Sequence, residues 1–401
     1  MVQFKKQIGR NSIVAFALLV NTFSWYFFGR TMVTQISSGF AETSIEHLFL
    51  MLTYPASIIA SSIIGSIFLI RAKKTSLFYV WLLLGVCTAA FLAVPIVVPL
   101  IAAFLIILLG ISVGFGIPAC LNYFTESVVI ENRGKAGGIT LLVTILGVSF
   151  LFIAISPLDL PLSPIFFALW RAWSLPFASF LSESEILSEK SSRKTVSFSS
   201  VLHNGAFLLY FAAWLMFALV DSFETVILNL TIGEFEFLII IEPVIASFSA
   251  LIAGVLSDWI GRRRILIFGF VSLGIAYAII GLLPQIWISW LLYYIIDGIA
   301  LGSFSVLFML VLWGDLSRNS SEKFYAIGET PLFLTEMLYI LLTPYLASIP
   351  ATSIFSLAAF FLFLAVLPLI YAPETLPEKK IKERELRLYV EKAKKIKEKH
   401  A

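Results

Sequence analysis

The stretch GVLSDWIGRRR, residues 254–264, places one acid and three arginines between two long apolar runs. Gly254 has no side chain, so neighbouring helices can approach closely there, and Gly261 permits the backbone angles of a very short reversal. Asp258 stands just before the next apolar run, where a carboxylate can cap free backbone amides and meet the positive end of a helix. The pattern predicts a tight connection between two helices.

Apolar runs fill most of the 401-residue chain, which is 59% hydrophobic and 13% charged. A helix of about 20 mostly apolar residues spans a bilayer, and continuously apolar runs favour helices over an alternating barrel pattern. The sequence predicts an all-α membrane protein with twelve transmembrane helices. These runs lie at residues 12–34, 46–70, 77–95, 98–126, 137–156, 161–181, 201–228, 236–257, 265–283, 287–312, 325–347 and 351–371.

The distribution of Lys and Arg predicts the orientation of these helices. If the amino terminus is cytoplasmic, 26 of the 28 basic residues lie in the terminal segments and inner loops, and the outer loops hold none. The other two, Arg30 and Arg171, lie inside apolar runs. The positive-inside rule therefore predicts an integral plasma membrane protein with both termini in the cytoplasm. The net charge of +3 reflects this topology and gives no support for a nucleic-acid partner.

A polar segment, residues 182–200, separates six predicted helices from six more. Similar residues occur before and after this segment at offsets of 188 to 190 residues. The pairs are Pro55 and Pro243, Gly65 and Gly254, Glu126 and Asp315, and the stretches 136–138 and 326–328. Such parallel six-helix repeats are a transporter architecture. The predicted units are an N-terminal six-helix bundle (1–181), a cytoplasmic linker (182–200), a C-terminal six-helix bundle (201–372) and a charged cytoplasmic tail helix (373–401), with the two bundles related by pseudo-symmetry.

The residue 254–264 stretch resembles the loop signature of the major facilitator superfamily. Three more stretches resemble its sugar-porter and metabolite–proton symporter branch: YFTESVVIENRG with Tyr123, Glu126, Arg133 and Gly134, LSESEIL with Glu183 and Ser184, and PETLPE at 373–378. The first-half counterpart of the opening stretch, GSIFLIRAKK, keeps its glycine and bases but has Leu69 and Ala72 where the second half has Asp and Gly.

This resemblance implies that charge clusters lock the two halves together on the cytoplasmic side when the cavity faces outward. The predicted cytoplasmic gate consists of Gly65, Lys73, Lys74, Glu126, Arg133, Glu183, Gly254, Asp258, Gly261, Arg262, Arg263 and Asp315. The alternative is that these bases only fix the orientation of the helices during insertion.

Ionisable side chains at the centre of a membrane helix cost about 2.5–3.5 kcal/mol each on insertion scales, so they are functional candidates. Asp297 and Glu336 lie deepest in their predicted helices. The alternative for Glu224, Glu242 and Arg30 is that they extend to the outer interface, and for Arg171 we favour a structural pairing.

The resemblance implies that helices 1, 4, 7 and 10 line the cavity. In helix 1, Asn21 and Trp25 share one face and Arg30 lies on another, so both faces cannot point to the cavity. We choose the face of Asn21 and Trp25, and we predict that Asp297 carries a coupled proton. The candidate substrate or proton pathway consists of Asn21, Trp25, Arg30, Trp214, Asp221, Tyr294, Asp297 and Glu336.

These features predict a secondary active transporter of a small organic solute, working by proton-coupled symport and alternating access. The alternatives are proton-coupled efflux of drugs or metabolites and a non-transporting membrane sensor or scaffold. A polar metabolite or organic acid fits as well as a sugar, because none of the four glutamines lies at mid-depth. The chain has no nucleotide-binding loop, metal-ligand cluster or catalytic triad, so we expect no enzyme activity and no cofactor. The expected partners are a small-molecule substrate, protons and the lipid bilayer.

Overall fold

The computed structural model describes residues 2–41, 44–72, 75–94, 98–155, 162–181, 196–231, 236–317, 321–346 and 349–377, together with 386 and 390. Every regular element among these residues is a helix. Three predicted gate residues, Lys73, Lys74 and Glu183, lie outside the described residues. So do most of the predicted linker and most of the predicted tail helix.

The first half of the chain forms six helical segments. These are α1 (Val2–Ser37), α2 (Ile45–Ala72), α3 (Thr75–Phe91), α4 (Pro99–Gly114 and Ile117–Ser127), α5 (Arg133–Ile155) and α6 (Leu162–Ala172 and Leu175–Leu181). A short helix, Phe198–Leu202, precedes the second half.

The second half forms six more segments. These are α7 (Gly205–Thr231), α8 (Glu236–Ile260), α9 (Arg262–Leu282), α10 (Trp287–Phe304, a π-helical stretch Ser305–Val311, and Leu312–Leu316), α11 (Glu322–Gly328 and Thr330–Leu346) and α12 (Ala351–Leu364 and Val366–Tyr371).

Ten of these segments are long and apolar enough to cross a membrane, by length and composition. The other two are α3, whose residues 76–91 form a shorter apolar helix, and α6, which is made of two short pieces. The described residues therefore contain the predicted twelve segments in two groups of six. The predicted fold class is confirmed.

Prolines explain three of the interruptions that divide the apolar runs. Pro118, Pro176 and Pro331 each occupy the second position of the piece that follows a break in α4, α6 and α11. Proline has no backbone N–H to donate to the preceding turn, so it is tolerated at the start of a helix and disrupts the interior. Each proline therefore ends one ladder of hydrogen bonds and starts the next.

Two seams join the halves, one between α5 and α8 and the other between α2 and α11. At the first seam, a Cβ on Gly254 would overlap the carbonyl oxygen of Gly134, and one on Gly138 would lie 2.8 Å from Cα of Leu251. The two backbones touch because neither glycine has a side chain. By contrast, Gly65 packs against the backbone of Phe115 within the first half.

The charged turn is as short as the sequence predicts. α8 ends at Ile260 and α9 begins at Arg262, and the single residue between them, Gly261, has φ of 105°. Side chains other than glycine rarely adopt this backbone conformation. We call the end of the molecule that carries this turn the charged end.

Candidate functional site

At the charged end, Asp258 connects the two halves. Its Oδ1 and Oδ2 accept the backbone N–H groups of Gly134 at 3.0 Å and Lys135 at 2.8 Å, and Oδ1 lies 2.9 Å from Nη2 of Arg262. Asp258 therefore caps the first turn of α5, in the first half, where the helix dipole favours a negative charge. The sequence predicts that Asp258 caps α9, the next helix in the chain, and this prediction is wrong because its carboxylate accepts from α5.

Glu374 of the PETLPE stretch caps α9 instead. Its carboxylate accepts the backbone N–H groups of Arg262 at 2.9 Å and Arg263 at 3.3 Å. Arg263 in turn donates from Nη1 to the carbonyl oxygens of Ala372 at 2.8 Å and Ile370 at 3.3 Å. These contacts attach the end of α12 to the start of α9, so Arg263 acts within the second half.

Asp315 lies between two arginines at the same end. Its Oδ1 is 2.7 Å from Nη1 of Arg133 in the first half, and its Oδ2 is 3.2 Å from Nε of Arg262. The side chains of Asp315 and Arg262 have no exposed surface. Arg262 also donates to the carbonyl oxygens of Ser257 and Ile130 at 2.9 and 2.8 Å. A buried, fully engaged cluster of charges thus crosses from one half to the other.

Neutral hydrogen bonds add to this contact between α4 and α11. The hydroxyls of Thr125 and Tyr325 are 2.9 Å apart, and Ser321 donates to Oδ1 of Asn122 at 2.7 Å. Asn122 also donates to Glu126 at 3.1 Å, which places this predicted gate residue beside the contact. The structure therefore brings Glu126, Arg133, Gly254, Asp258, Gly261, Arg262 and Asp315 together around the closed charged end.

We expect Asp258→Asn to weaken closure of the charged end. The amide keeps one acceptor oxygen but loses the negative charge that attracts Arg262 and the two backbone N–H groups. Hydrogen bonds to charged groups contribute about 1.5–3 kcal/mol each. Spin-label distances between Val129→Cys and Leu202→Cys, both exposed at this end, should show a larger open population. Ser257→Ala, which removes only a bond within α8, is the control; equal distances in both variants would contradict the assignment.

Inside the apolar region, two carboxyl groups meet. The side chain of Asp297 on α10 lies beside that of Glu242 on α8, and Asp297 is buried. The close approach arises at Gly298, where a Cβ would lie 3.0 Å from the Glu242 carbonyl oxygen. Two carboxylates held this close repel each other when both are ionised.

Two acids of α7 lie near this pair. Asp221 and Glu224 are close enough to interact electrostatically with Asp297 or Glu242, and Glu224 is buried. Glu242 is partly buried. Glu242 was missed as a site residue because α8 is not expected to line the cavity. Tyr294, predicted for the pathway, is buried beside the same acids.

A second polar contact joins the halves away from the charged end. Nε of Arg30 on α1 lies 3.3 Å from Oε1 of Glu336 on α11, and Tyr26 donates to Oε2 of Glu336 at 3.0 Å. The Arg30 side chain is 49% exposed, against 13% for Glu336. The face of α1 that meets the second half is therefore that of Tyr26 and Arg30.

Asn21 and Trp25 lie on the opposite face, completely buried within the first half. They do not face the second half, as the pathway prediction expected, because both contact Arg171. Asn21 Oδ1 accepts from Nη1 of Arg171 at 2.8 Å, and the Arg171 guanidinium lies over the Trp25 ring. Arg171 also donates to the Ser112 carbonyl at 2.8 Å and lies over Trp81. It acts as the structural link that we favoured. Trp214 is likewise buried, stacked on Phe308 with 4.7 Å between ring centroids.

Comparisons with known proteins agree with this architecture. Residues 202–399 match the family model described as Major Facilitator Superfamily. No curated protein sequence matches the chain. Among solved structures, a proton:xylose symporter, XylE, bound to 6-bromo-6-deoxy-D-glucose is similar with a TM-score of 0.68 at 16% identity, covering 93% of this chain and 97% of that one.

Two further structures have the same fold. The human organic anion transporter MFSD10 (TETRAN) gives a TM-score of 0.62 at 14% identity, covering 91% of this chain and 99% of that one. A double-tryptophan mutant of XylE gives 0.65 at 15% identity, covering 94% and 98%. At such identities the likeness shows the fold alone. Together with the match of residues 202–399 to the family model, it shows that the chain has the fold of Major Facilitator Superfamily transporters and resembles the sugar porters in fold.

Proposed function

We propose that this chain is a secondary transporter of a small organic solute, coupled to protons, with the Asp297–Glu242 pair as its proton-binding site. The observation that carries the proposal is the close approach of two acids on neighbouring helices in the apolar region, where Asp297 is buried and Gly298 packs against the Glu242 carbonyl oxygen. Such a pair is stable with one proton and repulsive with none, because two adjacent carboxylates disfavour joint ionisation. It can therefore bind and release one proton in a cycle.

The proton site and the charged end are parts of the same helix. Asp297 and Asp315 both belong to α10, with the π-helical stretch Ser305–Val311 between them. π-helical insertions are frequent at functional sites, and this one supplies a place where the two parts of α10 can change their relative orientation. Loss of the proton at Asp297 would then favour a different packing of α10 and opening of the charged end.

The substrate class follows from the polar groups between the halves. Arg30 presents a half-exposed guanidinium and Glu336 an acceptor carboxylate, while tyrosine hydroxyls offer further donors. This combination suits a polar metabolite, an organic acid or a sugar. The named neighbours, a xylose symporter and an organic anion transporter, transport members of these classes.

We also propose that the charged end is cytoplasmic, as the positive-inside rule requires. In a variant without Cys87 and Cys120, we expect an impermeant thiol reagent added outside whole cells to label Val94→Cys and Ile286→Cys. It should leave Val129→Cys and Leu202→Cys unlabelled until the cells are permeabilised. All four positions are exposed, so access alone decides the result. The reverse pattern would invert the orientation.

Transport itself is tested with purified protein. A thermal-shift screen of sugars, carboxylic acids and amino compounds should identify a ligand, because a molecule that binds the native state raises its apparent stability. Counterflow of that ligand in proteoliposomes should follow, with imposed proton gradients. Binding without counterflow would favour the sensor or scaffold function, and gradient-driven exit without uptake would favour efflux.

A further inference from the structure

A buried acid outside the proton pair lies at the junction of the two pieces of α11. Glu329 is the single residue between Glu322–Gly328 and Thr330–Leu346, and it is 4% exposed. It is close to the charged end, since Tyr325, one turn earlier, belongs to the contact with Thr125. The mechanism proposed above does not use it.

The described surroundings of Glu329 offer it no cation. Its Oε1 has no hydrogen-bond partner, and the neutral indole of Trp313 on α10 lies beside the carboxyl group. The ionisable groups of the neighbouring elements are engaged elsewhere, in the following contacts. On α10, Asp315 holds Arg133 and Arg262; on α11, Tyr325 donates to the Leu310 carbonyl and Lys323 to the Val196 carbonyl; on α7, Tyr210 donates to the Pro373 carbonyl.

A carboxylate in this position would be a buried charge without a cation to balance it, which is a costly state that neutralisation avoids. A protonated carboxyl removes the charge and lets the closed packing persist. That packing is tight: a Cβ on Gly328 would lie 2.5 Å from the Trp313 ring, and one on Gly314 would lie 2.5 Å from Oγ1 of Thr125. The end of α10 is thus held between α11 and the first half.

We propose that Glu329 is a second proton-binding site, protonated while the charged end is closed and ionised when it opens. Opening separates Thr125 from Tyr325 and Asn122 from Ser321, so that water reaches the junction of α11. The carboxyl O–H bond then breaks, the proton passes to that water, and the carboxylate remains hydrated. Closure reverses these steps.

This site is separate from the Asp297–Glu242 pair. Residues 297 and 313 of α10 are 16 positions apart, which corresponds to about 24 Å along a helix with a rise of 1.5 Å per residue. The inference rests on the alternating-access part of the proposed function, and not on Asp297 as the coupling residue. The two sites can therefore be tested apart.

Proton binding is measured by infrared spectroscopy of purified protein at neutral pH. We expect a C=O stretching band of a protonated carboxyl that disappears in Glu329→Gln and shifts in Glu329→Asp. The band should survive in the Asp297→Asn, Glu242→Gln double variant. A wild-type protein with the same band intensity as Glu329→Gln would overturn the proposal. If Glu329→Gln does not fold, an unshifted band in Glu329→Asp has the same consequence.

Coupling to closure is measured with the spin-label pair at positions 129 and 202 as a function of pH. One linked proton changes the closed-to-open ratio by at most tenfold per pH unit, and the ratio should fall as pH rises because the closed state binds the proton. Glu329→Gln should stay closed and lose this component, whereas the exposed-residue control Glu46→Gln should keep it. An unchanged slope in Glu329→Gln refutes the proposal. If Asp297→Asn does not affect solute accumulation, the Asp297–Glu242 pair is not the coupling site. That outcome leaves the pH dependence of closure attributed to Glu329 unchanged.

Discussion

Replacing Asp297 by Asn should abolish accumulation of solute against its gradient while leaving solute exchange measurable. The amide imitates the protonated acid permanently, so the pair with Glu242 keeps a donor and an acceptor but can no longer release a proton. Desolvation makes the charged form of a buried carboxyl unfavourable, and the cycle depends on moving between the two forms. Uptake and counterflow of the identified ligand in proteoliposomes, with and without an inward proton gradient, measure both activities.

Two companion variants sharpen this test. Glu242→Gln should have the same effect as Asp297→Asn, because it removes the other member of the pair. Ser303→Ala removes only a hydrogen bond within α10 and keeps every acid, and it should retain accumulation. If Asp297→Asn still accumulates solute, the coupling proton binds elsewhere, and Glu336 and then Asp221 are the next residues to replace.

The second large effect is expected for Asp315→Asn. The change leaves Arg133 and Arg262 without their shared carboxylate, and removing one partner of a buried ion pair costs about 3–5 kcal/mol. The cost applies to the closed charged end, since opening lets water solvate both guanidinium groups. The closed-to-open ratio should fall by between about a hundredfold and about four thousandfold, at 1.4 kcal/mol for each factor of ten.

Distances between spin labels at positions 129 and 202 report this shift directly. Glu131→Gln is the matched control, because Glu131 is next to Ile130, whose carbonyl accepts from Arg262, and its own Oε2 has no hydrogen-bond partner. A distance distribution for Asp315→Asn that is identical to the control would show that the arginine cluster does not hold the halves together.

Much of the fold could be predicted from the length and position of the apolar runs alone. All twelve coincide with helical segments of the described residues, because burying an uninterrupted apolar stretch in lipid requires a helix. The short turn at Gly261 was also predictable, since few residues tolerate its backbone angles. What hydropathy misses is the division of α4, α6 and α11, although a proline marks each one.

The site was harder to predict because partners depend on how helices rotate about their axes. Helical spacing separates the two faces of α1 but does not say which one meets the second half. Arg171 decides the matter, since its guanidinium needs Asn21 and Trp25 inside the first half. Similarly, the sequence predicts that Asp258 caps the helix that follows it in the chain, yet its carboxylate oxygens accept from backbone N–H groups of α5 in the other half.

The contact of Gly254 with Gly134 has a practical consequence. Since the backbones touch there, a bulky residue at position 254 would prevent α5 and α8 from packing closely. The charged end would then stay partly open, although no ionisable group is altered. Such a variant would provide a trapped form of the transporter for raising antibodies that recognise one conformation. Those antibodies could then be used to enrich the same conformation of the wild-type protein.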